Sequence, residues 1–187
     1  MEATTRFVVL CWVVIVFIWV ISALSVKPTK ERQPLPGRLL YLFLAVVVAV
    51  LLKRGVREVN FARVVLPHTF WIGILADAIV LAGLVIAVWA RAVLGGNWSA
   101  RVALKVDHEL IQRGPYRVVR HPIYSGLLLM VLGTAILGGR VSGFVAFFIC
   151  FCASWIKLRQ EEALLTKRLP GYSEYKARTK ALVPFVL

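Results

Sequence analysis

The greatest concentration of chemically special residues runs from Arg113 to Gly126, RGPYRVVRHPIYSG. Pro122 fixes φ and lacks a backbone N–H, so it suits the first turn of a helix and predicts a helix start. His121 would then lie at the mouth of that helix, where unpaired backbone N–H groups and the helix dipole attract anions, and Arg120 adds a full positive charge. The pattern predicts a site for a carboxylate or phosphate, with a basic turn that only flanks a membrane helix as the alternative.

Two adjacent carboxylates farther along the chain, Glu161 and Glu162, closely follow two cations, Lys157 and Arg159. The carboxylates suit an amine or the hydroxyls of a ribose, while the cations suit an anion. A solvated helix with ordinary charge pairing is the alternative. Because a helical hairpin would bring this set next to the stretch around His121, the spacing favours one joint site.

The composition indicates an integral membrane protein. The chain has 187 residues, a length that suits one domain. Of these residues 60% are hydrophobic, and the mean hydropathy is +0.80, far above the average of a soluble domain. The net charge of +14 could indicate nucleic acid as a partner. The basic residues, however, occur in short loops between apolar runs, where they would meet anionic lipid headgroups, so membrane lipids are the expected partners and nucleic acid is not. The three cysteines fall within apolar segments and predict neither a disulfide framework nor a metal site.

The elements that must position these residues are five apolar runs, which predict an all-α membrane bundle of about five transmembrane helices. They are Phe7–Val26, Leu39–Leu52, Phe70–Ala90, Ile123–Leu137 and Val141–Ile156. The second run is short and would have to tilt or thin the bilayer to cross it. The third contains Asp77, for which a functional role and a hydrogen-bonded packing role are both open. Residues 1–187 are expected to form one domain, with three less distinctive spans in 1–90 and the linker, hairpin and C-terminal cap of the site in 91–187.

The distribution of Lys and Arg predicts which side of the membrane carries the site. Five spans with the C-terminus inside place 17 of the 23 basic residues in cytoplasmic segments, against six elsewhere. Four of those six lie in Lys53–Arg63 and disagree with this orientation. The linker Arg91–Arg120 and the tail after Lys157 nevertheless fall on one face, so a site on the cytoplasmic face is expected.

Taken together, the motifs resemble those of the isoprenylcysteine carboxyl methyltransferase family, which is grouped with the membrane phospholipid methyltransferases. The resemblance covers about Gly95 to Phe185. Arg-His-Pro-x-Tyr alone is a short pattern, but its combination with the upstream Gly-Pro-Tyr and the downstream Glu-Glu at hairpin spacing is specific for this family. The matching residues are Gly114-Pro115-Tyr116, Arg120-His121-Pro122, Tyr124, Gly126, Glu161-Glu162, Tyr172, Tyr175 and Pro184-Phe185.

This resemblance implies an S-adenosylmethionine pocket capped by the linker and the tail, with a lipophilic acceptor entering from the lipid. The residues implied to hold the cofactor are His108, Glu109, Leu110, Ile111, Tyr116, His121, Pro122, Ile123, Tyr124 and Glu161. The arginine that faces the acceptor in the family corresponds here to Lys157 or Arg159. The expected activity is methylation of a lipophilic acceptor, with the carboxylate of an isoprenylcysteine as the first candidate.

The acceptor determines which further groups the chemistry needs. A carboxylate is already ionised at pH 7 and needs only a cation to place it, for which Arg120, Lys157 and Arg159 are available. An amine would need a general base such as Glu162. Arg120 and Glu162 are thus the predicted catalytic residues, and N-methylation of a phospholipid headgroup stays open. A non-catalytic lipid-binding membrane protein is an alternative of another class, and a redox enzyme related to sterol reductases is a more distant one. No obligate protein partner is inferred.

Overall fold

Long apolar helices dominate the computed structural model, which describes residues 2–23, 29–32, 63–97, 103–105 and 110–184. The helices in these ranges are α1 (Glu2–Ala23), α2 (Phe70–Leu94), α3 (Pro122–Gly138), α4 (Val141–Arg168) and α5 (Tyr172–Arg178). By length and composition α1, α2 and α4 can cross a membrane, and α3 is a shorter apolar helix. The predicted membrane helical bundle is confirmed, while the predicted second span, Leu39–Leu52, lies outside the described residues.

A short antiparallel ribbon adds to the predicted all-helical architecture. Strand β1 (Thr29–Arg32) pairs with strand β2 (Ala103–Lys105), with an irregularity in register near Thr29. The strands have only four and three residues, so no alternating apolar pattern is long enough to predict them. The ribbon joins the segment after α1 to the linker that precedes the motif.

Helices α2 and α3 lie in direct backbone contact because glycine faces the partner helix. A Cβ atom at Gly83 would lie 2.5 Å from the Gly126 carbonyl oxygen, and one at Gly133 would lie 2.8 Å from that of Ala76. Since rising numbers in α2 meet falling numbers in α3, the two helices are antiparallel. Small residues permit this close approach in a bilayer, where packing has to supply the attraction between helices.

Helix α1 packs alongside α2 in the same direction. Gly73 near the start of α2 lies next to Thr4, and at the other end the Arg91 Nη2 atom donates a hydrogen bond to the Ser22 carbonyl oxygen at 2.7 Å. Trp12 also donates through Nε1 to Thr134 Oγ1 of α3 at 3.1 Å. These contacts fix α1 against the antiparallel pair at both ends and in the middle.

The α3–α4 hairpin confirms the helix start predicted from Pro122 and the predicted pairing of the last two apolar runs as a hairpin. Pro122 is the first residue of α3, and Gly139 ends the helix in the left-handed region with φ 61°. Helix α4 then continues for 28 residues without a break, well past the predicted span end at Ile156. Glu161 and Glu162 therefore stand on a rigid extension of a membrane helix, at the same end of the bundle as His121.

The C-terminal tail folds back onto the motif stretch. The backbone N–H groups of Arg120 and His121 donate to the carbonyl oxygens of Lys180 and Ala181 at 2.8 and 3.0 Å. Ser125 Oγ donates to the Leu182 carbonyl oxygen at 2.6 Å. The motif, the end of α4 and the tail are thus fastened together at one end of the bundle.

Candidate active site

Glu162 is the centre of a buried polar cluster formed by Arg120, His121, Glu162 and Lys176, here called the Glu162 cluster. The Arg120 Nε atom donates to Glu162 Oε1 at 2.7 Å, and His121 Nε2 lies 3.3 Å from the same oxygen. Lys176 Nζ forms an ion pair with Glu162 Oε2 at 2.8 Å. Three segments, the motif, α4 and α5, therefore meet on one carboxylate, and the surrounding positive charge holds that carboxylate ionised.

Arg120 also fastens the C-terminal tail. Its Nη1 atom donates to the carbonyl oxygen of Lys176 at 3.2 Å and to that of Thr179. The guanidinium thus links the helix mouth, α4 and the end of α5 in one network. Its predicted role as the cation that places an acceptor stays a prediction, and in this arrangement two of its nitrogens are engaged within the protein.

A second, half-buried set consists of Tyr124, Lys157 and Glu161, here called the Tyr124 cluster. The Tyr124 hydroxyl donates to Glu161 Oε2 at 3.2 Å, and Lys157 Nζ lies 5.6 Å from the centre of the Tyr124 ring. Lys157 and Glu161 are four residues apart on α4, so they share one helix face. This cluster places a cation, a carboxylate and an aromatic ring together beside the Glu162 cluster.

The two predicted acceptor-facing cations separate in the structure. Arg159 is exposed, and its Cζ atom lies 5.9 Å from the centre of the Trp155 ring, on another face of α4 from Tyr124. Lys157 is half-buried on the Tyr124 side. The structure therefore brings Lys157, and not Arg159, together with the other predicted site residues.

Two buried tyrosines support the motif stretch through backbone hydrogen bonds. The Tyr116 hydroxyl donates to the Ala90 carbonyl oxygen at 3.3 Å, and the Tyr175 hydroxyl donates to the Tyr116 carbonyl oxygen at 2.7 Å. Burial raises the pKa of Tyr175 to about 12, against the opposing charge of Arg120. Burial likewise raises the pKa of Tyr116 above its usual range. Both phenols are therefore neutral hydrogen-bond donors at physiological pH.

Tyr172 differs from these two tyrosines because its buried hydroxyl lacks a hydrogen-bond partner in the described part of the chain. The residue is 3% exposed, and its ring packs edge-on against Tyr175 with 5.9 Å between ring centres. Burial raises the pKa of Tyr172, Glu162 adds to the effect and Arg120 opposes it. The hydroxyl is thus an unused, neutral donor close to the Glu162 cluster.

The remaining predicted residues line the approaches to these clusters. Pro122 is fully buried, and Ile123 is half-buried in the first turn of α3. Leu110 and Ile111 are half-buried, and a Cβ atom at Gly171 would lie 3.7 Å from Leu110 Cδ2. The linker thus reaches the turn between α4 and α5. His108 and Glu109 lie outside the described residues.

Asp77 lies away from both clusters. Its neighbour Ala76 contacts Gly133, which is eleven residues and about 16 Å along α3 from Pro122. The Asp77 Oδ1 atom is buried without a hydrogen-bond partner in the described part of the chain. An intramembrane carboxyl at this depth is separate from the chemistry around His121.

The sequence patterns that mark the motif do not single out Lys176, Thr179 or the unpartnered hydroxyl of Tyr172 as site groups. A usable signal is present, because Tyr172, Tyr175 and Lys176 follow at i, i+3 and i+4 and so share one face of α5. Recognising that this face turns toward Glu162 requires the left-handed turn at Gly171, whose φ is 76°.

Comparison with known proteins relates this geometry to a family. A sequence model described as "Phospholipid methyltransferase" matches residues 71–171, just over half of the chain, from the start of α2 to the turn before α5. Protein-S-isoprenylcysteine O-methyltransferase B of Arabidopsis thaliana is 26% identical over 147 residues, which cover 76% of this chain and 73% of that protein.

Two bacterial relatives match over shorter parts of their own lengths. The uncharacterized protein YpbQ of Bacillus subtilis is 32% identical over 66 residues, 35% of this chain and 38% of that protein. The cobalt-zinc-cadmium resistance protein CzcN of Cupriavidus metallidurans is 26% identical over 125 residues, 66% of this chain and 57% of that protein. Residues 71–171, which the family model matches, contain the Tyr124 cluster and all of the Glu162 cluster except Lys176. The chain therefore belongs to the phospholipid methyltransferase family.

Proposed function

We propose that the protein transfers a methyl group from S-adenosylmethionine to a lipophilic acceptor, and that the acceptor is the carboxylate of an isoprenylcysteine. The observation that carries the proposal is the Tyr124 cluster, where Lys157 and Glu161 flank an aromatic ring beside a membrane helix. A cation and a carboxylate held half-buried at this position suit a polar reaction on a molecule whose apolar part stays in lipid.

The groups of the site fit the cofactor. S-adenosylmethionine carries an ammonium, a carboxylate and two ribose hydroxyls. Glu161 is a half-buried acceptor for an amine or hydroxyl, and Tyr172 is a buried donor that lacks a partner in the described part of the chain. When bound, S-adenosylmethionine supplies a methyl group activated by a sulfonium.

The protein's contribution to the transfer is placement and exclusion of water. In the proposed transfer, a carboxylate oxygen of the acceptor would form a C–O bond to the methyl carbon as the S–C bond breaks and a neutral thioether leaves, so no group of the protein would have to move a proton. In this proposal the carboxylate is held by Lys157, whose Nζ atom lies 5.6 Å from the centre of the Tyr124 ring. Alignment of this kind accelerates a reaction between two molecules, because the entropy of bringing them together is lost on binding and not in the chemical step.

The arrangement of Glu162 favours a carboxylate over an amine as the acceptor. An amine acceptor would need a base to remove its proton. Glu162, the predicted base, already accepts a hydrogen bond from Arg120 and contacts His121 and Lys176. A carboxylate so engaged is a weak base, whereas a carboxylate acceptor needs only the cation that Lys157 offers.

The test is transfer of labelled methyl from S-adenosylmethionine by the purified full-length protein in mild detergent. Two acceptors are compared, a farnesylated cysteine derivative and phosphatidylethanolamine. We expect label on the farnesylated cysteine that base releases as methanol, because a methyl ester is base-labile. Base-stable label on the ethanolamine lipid would retain the methyltransferase and replace the carboxylate acceptor. If the folded protein neither binds S-adenosylmethionine nor transfers methyl to either acceptor, the proposal is refuted.

A further inference from the structure

We propose that Tyr172 is a ligand-binding residue, whose hydroxyl donates a hydrogen bond to an oxygen of the bound methyl donor. The inference rests on the proposed function, because it concerns the same cofactor. No sequence motif assigns this role to Tyr172, which enters the sequence pattern only as one residue of the tail.

The state of the hydroxyl carries the inference. Buried tyrosine hydroxyls normally have a hydrogen-bond partner, and a buried donor without one destabilises the protein that contains it. The Tyr172 hydroxyl is buried and lacks a partner in the described part of the chain. Phenylalanine would fill the same space without that cost. An acceptor oxygen brought by a ligand would supply the missing partner.

The position of Tyr172 points to the methyl donor instead of the lipid acceptor. Tyr172 begins α5, directly after Gly171, which lies against the side chain of Leu110. On the same face of α5, Lys176 forms an ion pair with Glu162 of α4 at 2.8 Å, and the charges of Glu162 and Glu161 add to the burial that raises the pKa of the Tyr172 phenol. It therefore lies between the linker and α4, on the polar cap beyond the apolar part of α4 that ends at Ile156.

Neither glutamate of α4 accepts a hydrogen bond from Tyr172. Glu161 accepts from Tyr124, and Glu162 accepts from Arg120. The Tyr172 hydroxyl is thus not a member of either cluster. It is a separate donor at their edge, available to a third group.

Tyr175 provides a matched control on the same helix. It lies three residues after Tyr172, it is 4% exposed against 3% for Tyr172, and the two rings are in contact. Its hydroxyl, in contrast, donates to the Tyr116 carbonyl oxygen. Removing the Tyr175 hydroxyl breaks a hydrogen bond within the protein, whereas removing that of Tyr172 breaks none among the described residues.

The experiment compares Tyr172→Phe and Tyr175→Phe in the full-length protein. The melting temperature is measured without ligand, and the affinity for S-adenosylhomocysteine, the demethylated product, is measured by calorimetry. For Tyr172→Phe we expect an unchanged or higher melting temperature and an affinity about tenfold weaker, the size of one hydrogen bond to a ligand. For Tyr175→Phe we expect a lower melting temperature and a smaller loss of affinity.

Three results would overturn the role of Tyr172. The first is wild-type affinity in Tyr172→Phe, which would leave the proposed function intact because the wild type still binds. The second is a fall in the ligand-free melting temperature as large as that of Tyr175→Phe, which would show a structural hydrogen bond. The third is no binding by the folded wild type, which would remove the proposed function and this inference together.

Discussion

The Glu162 cluster predicts that two substitutions at its ion pairs have very different effects. Glu162→Gln removes the central charge and leaves the Arg120 guanidinium without a counter-ion. Lys176→Met removes one cation and keeps the apolar stem. The side chains of Glu162 and Arg120 are 2% and 9% exposed, whereas that of Lys176 is 38% exposed. The first substitution therefore breaks a buried pair, and the second breaks a partly solvated one.

The exposures set the expected magnitudes. Breaking a buried ion pair from one side costs about 3 kcal/mol, because the remaining charge stays desolvated. A pair with one solvated partner contributes about 0.5 kcal/mol. For a chain of this length, these losses lower the melting temperature by about 6–12 °C and by about 1–2 °C.

The assay is thermal unfolding of both variants in one detergent at one heating rate, together with limited trypsin digestion. Because Arg120 holds the carbonyl oxygens of Lys176 and Thr179, loss of the Glu162 charge is expected to loosen the tail as well. Cleavage after Arg178 should then accelerate in Glu162→Gln and stay close to wild type in Lys176→Met. Equal destabilisation by the two variants, or a stable Glu162→Gln with a protected tail, would refute the assignment of Glu162 as the centre that holds the cap.

Three further predictions follow from the packing and the site. Gly133→Ala should destabilise the protein by about 1–3 kcal/mol, because its Cβ would lie 2.6 Å from a Val80 methyl group. Gly138→Ala should leave the melting temperature unchanged, because its Cβ would contact nothing within 4 Å among the described residues. Lys157→Met should raise the KM for a carboxylate acceptor about tenfold in the methyl-transfer assay, and Arg159→Met should leave this KM near wild type. The reason is that Lys157, and not Arg159, lies beside Tyr124, so equal effects of the two substitutions would contradict the separation of the two cations. The fold raises the pKa of Tyr175 to about 12, so its stabilising contribution is complete below pH 10 and is lost as the pH rises toward 12. Because burial also raises the pKa of Tyr116 and of Tyr172, alkaline titration of phenolate absorbance should show late-ionising tyrosines in the wild type and one fewer of them, the one that ionises near pH 12, in Tyr175→Phe.

The parts of the fold that local chemistry determines were predictable from sequence. Pro122 and Gly139 mark the start and end of α3, because proline suits the first helical turn and glycine tolerates a left-handed residue. Hairpin spacing placed the two glutamates near His121. The ribbon of β1 and β2 was not predictable, since its strands are too short to show a pattern.

The end of α4 could not be predicted from hydropathy. The apolar run stops at Ile156, yet the helix continues to Arg168, because hydropathy reports where the lipid contact ends and not where backbone hydrogen bonding ends. This continuation matters for the site. It holds Lys157, Glu161 and Glu162 at fixed angles around one axis, which a flexible segment after the membrane would not do.

Glu161 and Glu162 have different partners because of the division of directions that those angles impose on their side chains. Adjacent residues on a helix point about 100° apart, so two consecutive glutamates contact different neighbours. Glu162 faces inward, where Arg120, His121 and Lys176 surround it, and Glu161 faces the hydroxyl of Tyr124. The sequence alone does not show which glutamate faces inward, because this depends on Lys176, which the turn at Gly171 brings next to Glu162.

This division changes which cation is available to the acceptor. Arg120 has the planar fork that recognises a carboxylate through two parallel hydrogen bonds, but the structure commits it to Glu162 and the tail. Lys157, which lies beside Tyr124, is a point charge without such a fork. Lys157 therefore attracts an anionic group without selecting its shape. Under the proposed function, selectivity for an isoprenylcysteine would then come from the apolar part of the acceptor in the membrane, where binding of the lipid chain would supply the free energy that brings a carboxylate to a desolvated lysine.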